Sequence, residues 1–493
     1  MKKAVKDYTP VIVGIGQLLN RSRDLGDAIE PIEMMLACLR AAEEDSESKL
    51  LGDVDSMRVI RGIWDYGNPA RYLSEALGCG KAQSIGTLFG GNQVQAVINR
   101  SCLDIQSGQN SLIAITGAEN GSSSSRARKE GIKLIATEIR GHPDEILGSQ
   151  KPEHHDFEIA KGIKQAIQVY PMYENAIRAA RQESVADHLK RVSELWARFN
   201  EVALQNPNAW IKDEFTAEEI RTPTDANRRI SFPYTKMMNA NMVVDMGAAL
   251  ILCSVGKARE LGIPERKWIY PVAGVQGYDH FSASVRDNFY SSPGLGLVGK
   301  KVMELAKISP EEIDYVDLYS CFPSAVQIAA RELGFSEERA LTVTGGLTFG
   351  GGPLNNYVMH AVARTAELLR ETPETTAFVS ANGGNLYKHV HCVYSSQAPE
   401  EPFQFENIQR EIDALPSRVC LPEYNGKVDV ESYSVMYTGD KPAIIAYCSG
   451  ITNDGARVWS NCYDEDVLHD MTEMEFCGRT AVIKHDGTIG NFS

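Results

Sequence analysis

One unit occurs twice in this chain, and it limits the folds open to it: a glycine-rich loop, a helix with one apolar face, and a buried strand. The first copy opens at Gly90-Gly91-Asn92 in FGGNQVQAVINRSCLDIQSGQNSLIAITGAEN. The second opens at Gly350-Gly351-Gly352-Pro353 in FGGGPLNNYVMHAVARTAELLRETPETTAFVSANGG. After the first loop Val94, Val97, Ile98, Ser101, Cys102 and Ile105 recur at helical spacing; after the second, Val358, Ala361, Val362, Thr365, Ala366 and Leu369 do the same. Each stripe leads to an apolar run, Leu112 to Ile115 and Ala377 to Val379, that ends in small and amide residues. Strand-loop-helix units of this kind build a layered α/β protein. Glycines at a helix N-terminus present backbone N–H groups to negative charge, which suits the oxyanion of acyl chemistry. Neither loop carries a cysteine or histidine, so neither supplies a nucleophile.

A length of 493 residues predicts two or three domains. The formal net charge of −15 argues against nucleic-acid binding, although a local basic patch can still receive an anionic ligand. Ten cysteines without CxxC pairs argue against a zinc module or a disulfide framework. No apolar run approaches the roughly 20 residues of a membrane span, and the N-terminal stretch has no apolar core of signal-peptide length. A cytoplasmic location is the expectation.

The alternation of elements predicts a first α/β half over 1–120 and 230–270 and a charged helical insertion over 121–229. A second half follows over 271–398, then a linker and small β-barrel over 399–493. The insertion is expected to wall the site, with one or two amphipathic helices from Asn175 to Leu204. Asp245 to Leu252 reads as either helix or strand. Ser309 and Pro310 form a helix-start signal, and Tyr319-Ser320-Cys321-Phe322 falls at the end of a short buried strand, where sites collect in α/β sheets. The alternating runs VESYSVMYTG, AIIAYCSG, ARVWSNC and TAVIKH, divided by glycine, asparagine and aspartate, predict the barrel.

Six stretches in order, VIVGIGQ, GGNQVQAVINRSCLDIQSG, PYTKMMNANMVVDMGAALILCS, SPEEIDYVDLYSCFPSAVQIAARELG, TGGLTFGGGPLNNYVMHAVA and SANGGNLYKHVHCVYS, resemble the thiolase superfamily. The likeness is greatest to its type 1 thiolase-like and sterol-carrier-protein groups, and it covers roughly residues 8 to 398. It implies a duplicated five-layer α/β fold, coenzyme A thioesters as small-molecule substrates, no tightly bound cofactor, and room for a homodimer. The C-terminal segment resembles the small OB-fold proteins that partner some thiolase-like enzymes. The resemblance also shows departures: Gly90 stands at the nucleophilic cysteine, Gly352 at the activating histidine, Ala381 at the second cysteine, and Tyr319 at the polar residue of the fourth loop.

The resemblance therefore implies a thiolase-like acyltransferase acting on carbon–carbon bonds beside a thioester, with its usual catalytic residues missing. It leaves two alternatives: a retro-aldol lyase of 3-hydroxyacyl thioesters using Tyr319 and Tyr357, as in thiolase-fold aldolases, and a non-catalytic acyl-CoA binder. Candidate catalytic residues are Tyr319, Tyr357, Cys321, His360 and His389. His360 stands three residues past Tyr357, so the two are expected to share a helix face. Gly90, Gly91, Gly351, Gly352, Asn382 and Gly383 are the candidate oxyanion and substrate-binding residues. Asn92 is expected to cap its helix. His389 and His391 share a strand face without a third ligand at metal spacing, so no metal is expected. His154-His155-Asp156 reads as solvated surface, and Arg126, Arg128, Lys129 and Lys133 as a solvated basic face, with a coenzyme A phosphate site as the alternative.

Overall fold

The first half starts with β1 (Pro10–Leu19), α1 (Pro31–Ser46), β2 (Ser56–Val59), α2 (Pro69–Ala76), β3 (Gln83–Thr87), α3 (Gln93–Gln106) and β4 (Leu112–Asn120). This is a computed structural model that describes residues 5–149, 151–439 and 441–493. The insertion supplies α4 (Gly121–Glu130), β5 (Glu145–Leu147), α5 (Asp156–Ala160), α6 (Ala166–Arg181), α7 (Val185–Gln205) and α8 (Ala217–Arg221). The predicted 175–204 segment is two helices that part at Gln182, which adopts φ 57°; Ser184 then caps α7 by accepting from the Asp187 N–H. After β6 (Arg229–Phe232) and β7 (Tyr234–Thr235), β8 (Asp245–Ser254) completes the first sheet, so the ambiguous Asp245 segment is a strand. The order is β1-β8-β4-β2-β3-β5.

The second half repeats that plan. After α9 (Val255–Glu260), which packs on the first sheet, it comprises β9 (Tyr270–Tyr278), α10 (Pro293–Ala306), β10 (Tyr315–Asp317), α11 (Pro323–Leu333), α12 (Tyr357–Glu371), β11 (Thr376–Gly383), β12 (Lys388–Ser395) and β13 (Gln404–Asn407). Its sheet runs β10-β11-β12-β9-β13. In the first half β4 lies between antiparallel β8 and parallel β2; in the second, β11 lies between antiparallel β12 and parallel β10. Ser309 and Pro310 start a 3-10 turn with a capping box rather than an α-helix.

Both apolar stripes point to the same place. Val94, Val97, Ile98 and Cys102 of α3 and Val358, Ala361, Val362 and Ala366 of α12 form one buried cluster with the inner faces of both sheets. α1 packs on the outer face of the first sheet, and α10 and α11 on the outer face of the second. The layers are therefore helix, sheet, helix pair, sheet, helix. Stacking the sheets on the shared helices brings the N-terminal loops of α3 and α12 to the ends of β4 and β11.

After α13 (Gln409–Asp413) come β14 (Cys420–Leu421), β15 (Gly426–Tyr437), β16 (Ala443–Ile451), β17 (Arg457–Cys462), α14 (Glu465–Glu473), β18 (Thr480–Ile483) and β19 (Ile489–Gly490). The sheet order is β14-β17-β16-β15-β18-β19, and a bridge from Asn461 to Thr488 joins β17 to the β19 end, closing a small barrel. One feature departs from the predicted division: β6 pairs antiparallel with β15, so a strand that follows the insertion extends the barrel sheet.

Candidate functional site

Tyr319 follows β10 and is anchored by its N–H, which donates to Ser380 Oγ on neighbouring β11 at 2.9 Å. Its ring reaches across to the first glycine loop. A side chain at Gly91 would begin 2.1 Å from the Tyr319 hydroxyl and 2.5 Å from the Asn382 carbonyl oxygen. Only glycine admits this approach, so Gly91 is there for the tyrosine as much as for the turn. The Tyr319 hydroxyl makes no hydrogen bond among the described residues, and neither do the N–H groups of Gly91 and Asn92. The N-terminus of α3 thus carries two open backbone N–H groups beside an open hydroxyl. Burial, with Cys321 and Glu153 adding to it, holds the Tyr319 hydroxyl well above the ordinary phenol range. It is a proton-bearing donor at neutral pH and a poor base.

The second glycine loop differs. The N–H groups of Gly350, Gly351 and Gly352 donate to Gly345 O, Gly346 O and Asn241 O at 3.3, 3.2 and 2.9 Å. Gly351 and Gly352 therefore have no N–H to offer an oxyanion. Gly90 likewise donates its N–H to Asn355 Oδ1 at 3.1 Å. These bonds hold the loops in shape and leave Gly91 and Asn92 as the open donors.

Tyr357 and Tyr319 meet edge to face, with ring centroids 5.6 Å apart. The Tyr357 hydroxyl points the other way, donating to Asp317 Oδ1 at 2.9 Å and sharing a 2.7 Å bond with Thr344 Oγ1. It is fully engaged in a buried cluster, and burial together with the Asp317 charge holds it far above the phenol range. The paired-tyrosine expectation is corrected here: one hydroxyl is open and the other is tied. Burial raises Asp317 itself to about 6.

His360 does not join Tyr357. It reaches back to β1, where Nδ1 meets Gln17 Oε1 at 2.8 Å; Nε2 has no partner, and burial lowers the ring to about 3. His389 faces the outer side of the second sheet. Its Nε2 lies 3.1 Å from Asp279 Oδ2 and 3.3 Å from Ser292 Oγ, so carboxylate and hydroxyl share one ring nitrogen and no relay forms. Asp279 sits at about 2 because, against the effect of burial, the His389 hydrogen bond and charge favour its ionised form. His391 lies beside His389, with ring centroids 6.4 Å apart and neither nitrogen partnered. No metal-holding group of three side chains occurs among the described residues.

Cys321 is part-exposed beside Tyr170 and Asn382, and burial pushes its thiol up to about 12. A thiol held protonated in this way is a poor nucleophile at neutral pH. Asn382 donates Nδ2 to the Tyr170 hydroxyl at 3.1 Å and leaves Oδ1 without a partner. Asn92 caps α3 in position only: its side chain makes no capping bond, Nδ2 reaches the Tyr278 hydroxyl at 3.4 Å, and Oδ1 is unpartnered against Gly383.

Tyr170, on α6 of the insertion, is a residue the sequence reading missed, although it placed the insertion beside the site. His154 and His155 are not solvated surface. His154 meets buried Glu158 at 3.3 Å, and His155 accepts from the Phe157 N–H to cap α5. In the basic cluster, Arg126 is partly engaged, donating to Ser22 O at 2.7 Å.

Residues 407–488 match the family described as the thiolase-like protein type 1 additional C-terminal domain. The crystal structure of a monomeric SCP2-thiolase like protein type 1 from Mycobacterium smegmatis superposes with a TM-score of 0.85 at 28% identity, covering 99% of each chain. The fold is thiolase-like, with a type 1 additional domain at the C-terminal end. An acetyl-CoA acetyltransferase of Methanocaldococcus jannaschii is 29% identical over 103 residues, 21% of this chain and 26% of that protein. The chain thus spans about a quarter of that curated relative. The Ltp2-ChsH2(DUF35) aldolase superposes with a TM-score of 0.59 at 18% identity, over 81% of this chain and 100% of that one. That match speaks to fold alone. In this fold the two helices of the central layer are α3 and α12, and the open donors lie at the start of α3.

Proposed function

We propose that this protein binds an acyl thioester of coenzyme A and breaks the carbon–carbon bond beside it without an acyl-enzyme, as an aldol-type lyase of 3-hydroxyacyl thioesters. The observation that carries this reading is that the Gly91 and Asn92 N–H groups stay open at the start of α3, beside the open, protonated Tyr319 hydroxyl. Such donors stabilise an enolate oxygen as charge develops on it, the largest single contribution in many active sites. Thiolysis requires in addition a thiolate to carry the acyl group. Gly90, Gly352 and Ala381 stand where the superfamily resemblance places its cysteines and histidine.

The curated relatives named for acetyl transfer favour a second reading, an acyltransferase, whose acyl carrier here would be Cys321. Its raised thiol counts against that assignment. Mass spectrometry of reactions with matched 3-hydroxyacyl-CoA and 3-ketoacyl-CoA, with and without free coenzyme A, separates the readings. Cleavage of the hydroxy substrate without free coenzyme A is the expected result. Shortening of the keto substrate only when coenzyme A is present would establish acyl transfer. Thermal stabilisation by coenzyme A thioesters with both substrates intact would make the protein a binder.

A further inference from the structure

Lys388 opens β12, pairing with Gly383 on one side and Tyr278 on the other. Alternation along the strand sends His389 to the outer face with Asp279 and sends Lys388 and Val390 to the inner face, toward α3. A side chain at Gly383 would begin 3.3 Å from Lys388 Cδ and 2.3 Å from Asn92 Oδ1, so the lysine stem and the first glycine loop flank the same backbone position. The residue is only 2% exposed. Among the described residues its amine makes no ion pair and donates no hydrogen bond; Nζ lies 5.3 Å from the centroid of the Tyr387 ring.

The charged and titratable groups around it are Glu153 and Lys151 from the insertion, the Tyr278 hydroxyl from β9 and Tyr387 from the turn before β12. Burial holds the amine below the ordinary lysine range, outweighing the opposite pull of Glu153. A buried lysine without a counter-ion costs stability. This one stands at the loop whose Asn382 carbonyl oxygen and Gly91 backbone frame the Tyr319 hydroxyl.

We propose that Lys388 is the catalytic proton acceptor of this site. The proposal rests on the aldol-type reading above. Uncharged Nζ takes the proton of the substrate β-hydroxyl. The bond between the α- and β-carbons breaks, and its electron pair moves toward the thioester carbonyl as the β-carbon leaves as an aldehyde or ketone. The resulting enolate oxygen receives the Tyr319 hydroxyl and the Gly91 and Asn92 N–H groups. The ammonium then returns its proton to the α-carbon. One proton is taken and one returned, and no oxidant or further reactant is required.

The test compares wild type, Lys388→Met and Lys388→Arg on a 3-hydroxyacyl-CoA panel, with thermal melts to confirm folding. It adds pH-dependent acetylation of Lys388 in the wild-type protein by acetic anhydride, read by peptide mass spectrometry. Loss of a general base typically costs 10²–10⁴-fold, so both variants should lose at least about 100-fold in kcat with KM within about threefold. Wild-type kcat/KM should rise with pH and level off below the ordinary lysine value of about 10.4. Lys388 should also label at lower pH than surface lysines.

Arginine keeps the charge but cannot act as a base near neutral pH. An arginine variant within about tenfold of wild type would therefore overturn the proposal in favour of a purely electrostatic role. Labelling of Lys388 in step with surface lysines would overturn it as well. If wild type cleaves nothing in the panel, the lyase reading fails, and labelling alone decides whether the site holds an uncharged amine.

Discussion

Tyr319 and Tyr357 are the same residue type at touching positions, yet their hydrogen bonds assign them opposite work. Removing the Tyr319 hydroxyl deprives no protein group of a partner. Tyr319→Phe should therefore keep the melting temperature of wild type while lowering kcat about 100-fold, the usual effect of losing one oxyanion donor. Tyr357→Phe leaves Asp317 and Thr344 short of a bond and should cost roughly 1–3 kcal/mol in denaturant unfolding. Asp317 makes that cluster pH-sensitive. Its pKa is about 6 in the fold and about 3.9 in an unfolded chain. The folded state therefore holds the proton more tightly, and the contribution of Asp317 to stability falls as pH rises from about 4 to about 6. The gap in unfolding free energy between wild type and Asp317→Asn should narrow over that window by ~3 kcal/mol at most. A gap constant with pH would refute the assignment.

At the scale of elements, the two glycine loops carry the same signature and do different things. Gly350, Gly351 and Gly352 spend their N–H groups inside the protein, whereas Gly91 and Asn92 at the head of α3 keep theirs open. Gly91→Ala tests this asymmetry, because the new methyl group would meet both the Tyr319 hydroxyl and the Asn382 carbonyl oxygen. Overpacking of this kind typically costs 1–3 kcal/mol. Activity should fall well beyond what the melting temperature explains, since the displaced hydroxyl belongs to the site. The insertion contributes through α6, whose Tyr170 hydroxyl accepts from Asn382 and whose Tyr173 hydroxyl donates to Asn385 O at 3.0 Å. The charged helical segment expected to wall the site thus does so through two tyrosines of α6.

Across the whole molecule, the barrel is integral to the body. Arg457 donates Nη1 to the carbonyl oxygens of Ala283, Ser284 and Arg286 and pairs with Glu431. Trp459 donates to Ser284 Oγ at 2.9 Å, and Met436, Tyr447 and Trp459 belong to the same buried cluster as α6, α7, α10 and α11. Truncation after residue 398 would expose that cluster and strip β6 of its barrel partner β15. The truncated chain should be recovered as aggregate, or melt far below the full chain, when expressed and purified in parallel. At the opposite end, β5 from the insertion covers the edge of β3, and a strand of three residues offers little for another sheet to join. Light scattering should therefore report a monomer, and a dimer stable to dilution would contradict this account of the edge.

The sequence by itself determined the duplicated layers. Stripes at helical spacing behind glycine loops and short apolar runs ending in amides are local patterns, and α3, α12, β4 and β11 follow them because each buries one face against the other. The alternating C-terminal runs marked the barrel for the same reason, and the positions of Gly90, Gly352 and Ala381 already argued against a thiolate. What the tertiary structure decided is which polar atoms remain open, since a hydrogen bond between distant segments leaves no trace in local spacing. Tyr357 meets Asp317 from another strand, His360 turns to Gln17 on β1, and the open N–H groups of one glycine loop are closed in the other. Lys388 belongs to no motif in the sequence, and only the packing of β12 between β11 and β9 buries it with no ion pair among the described residues.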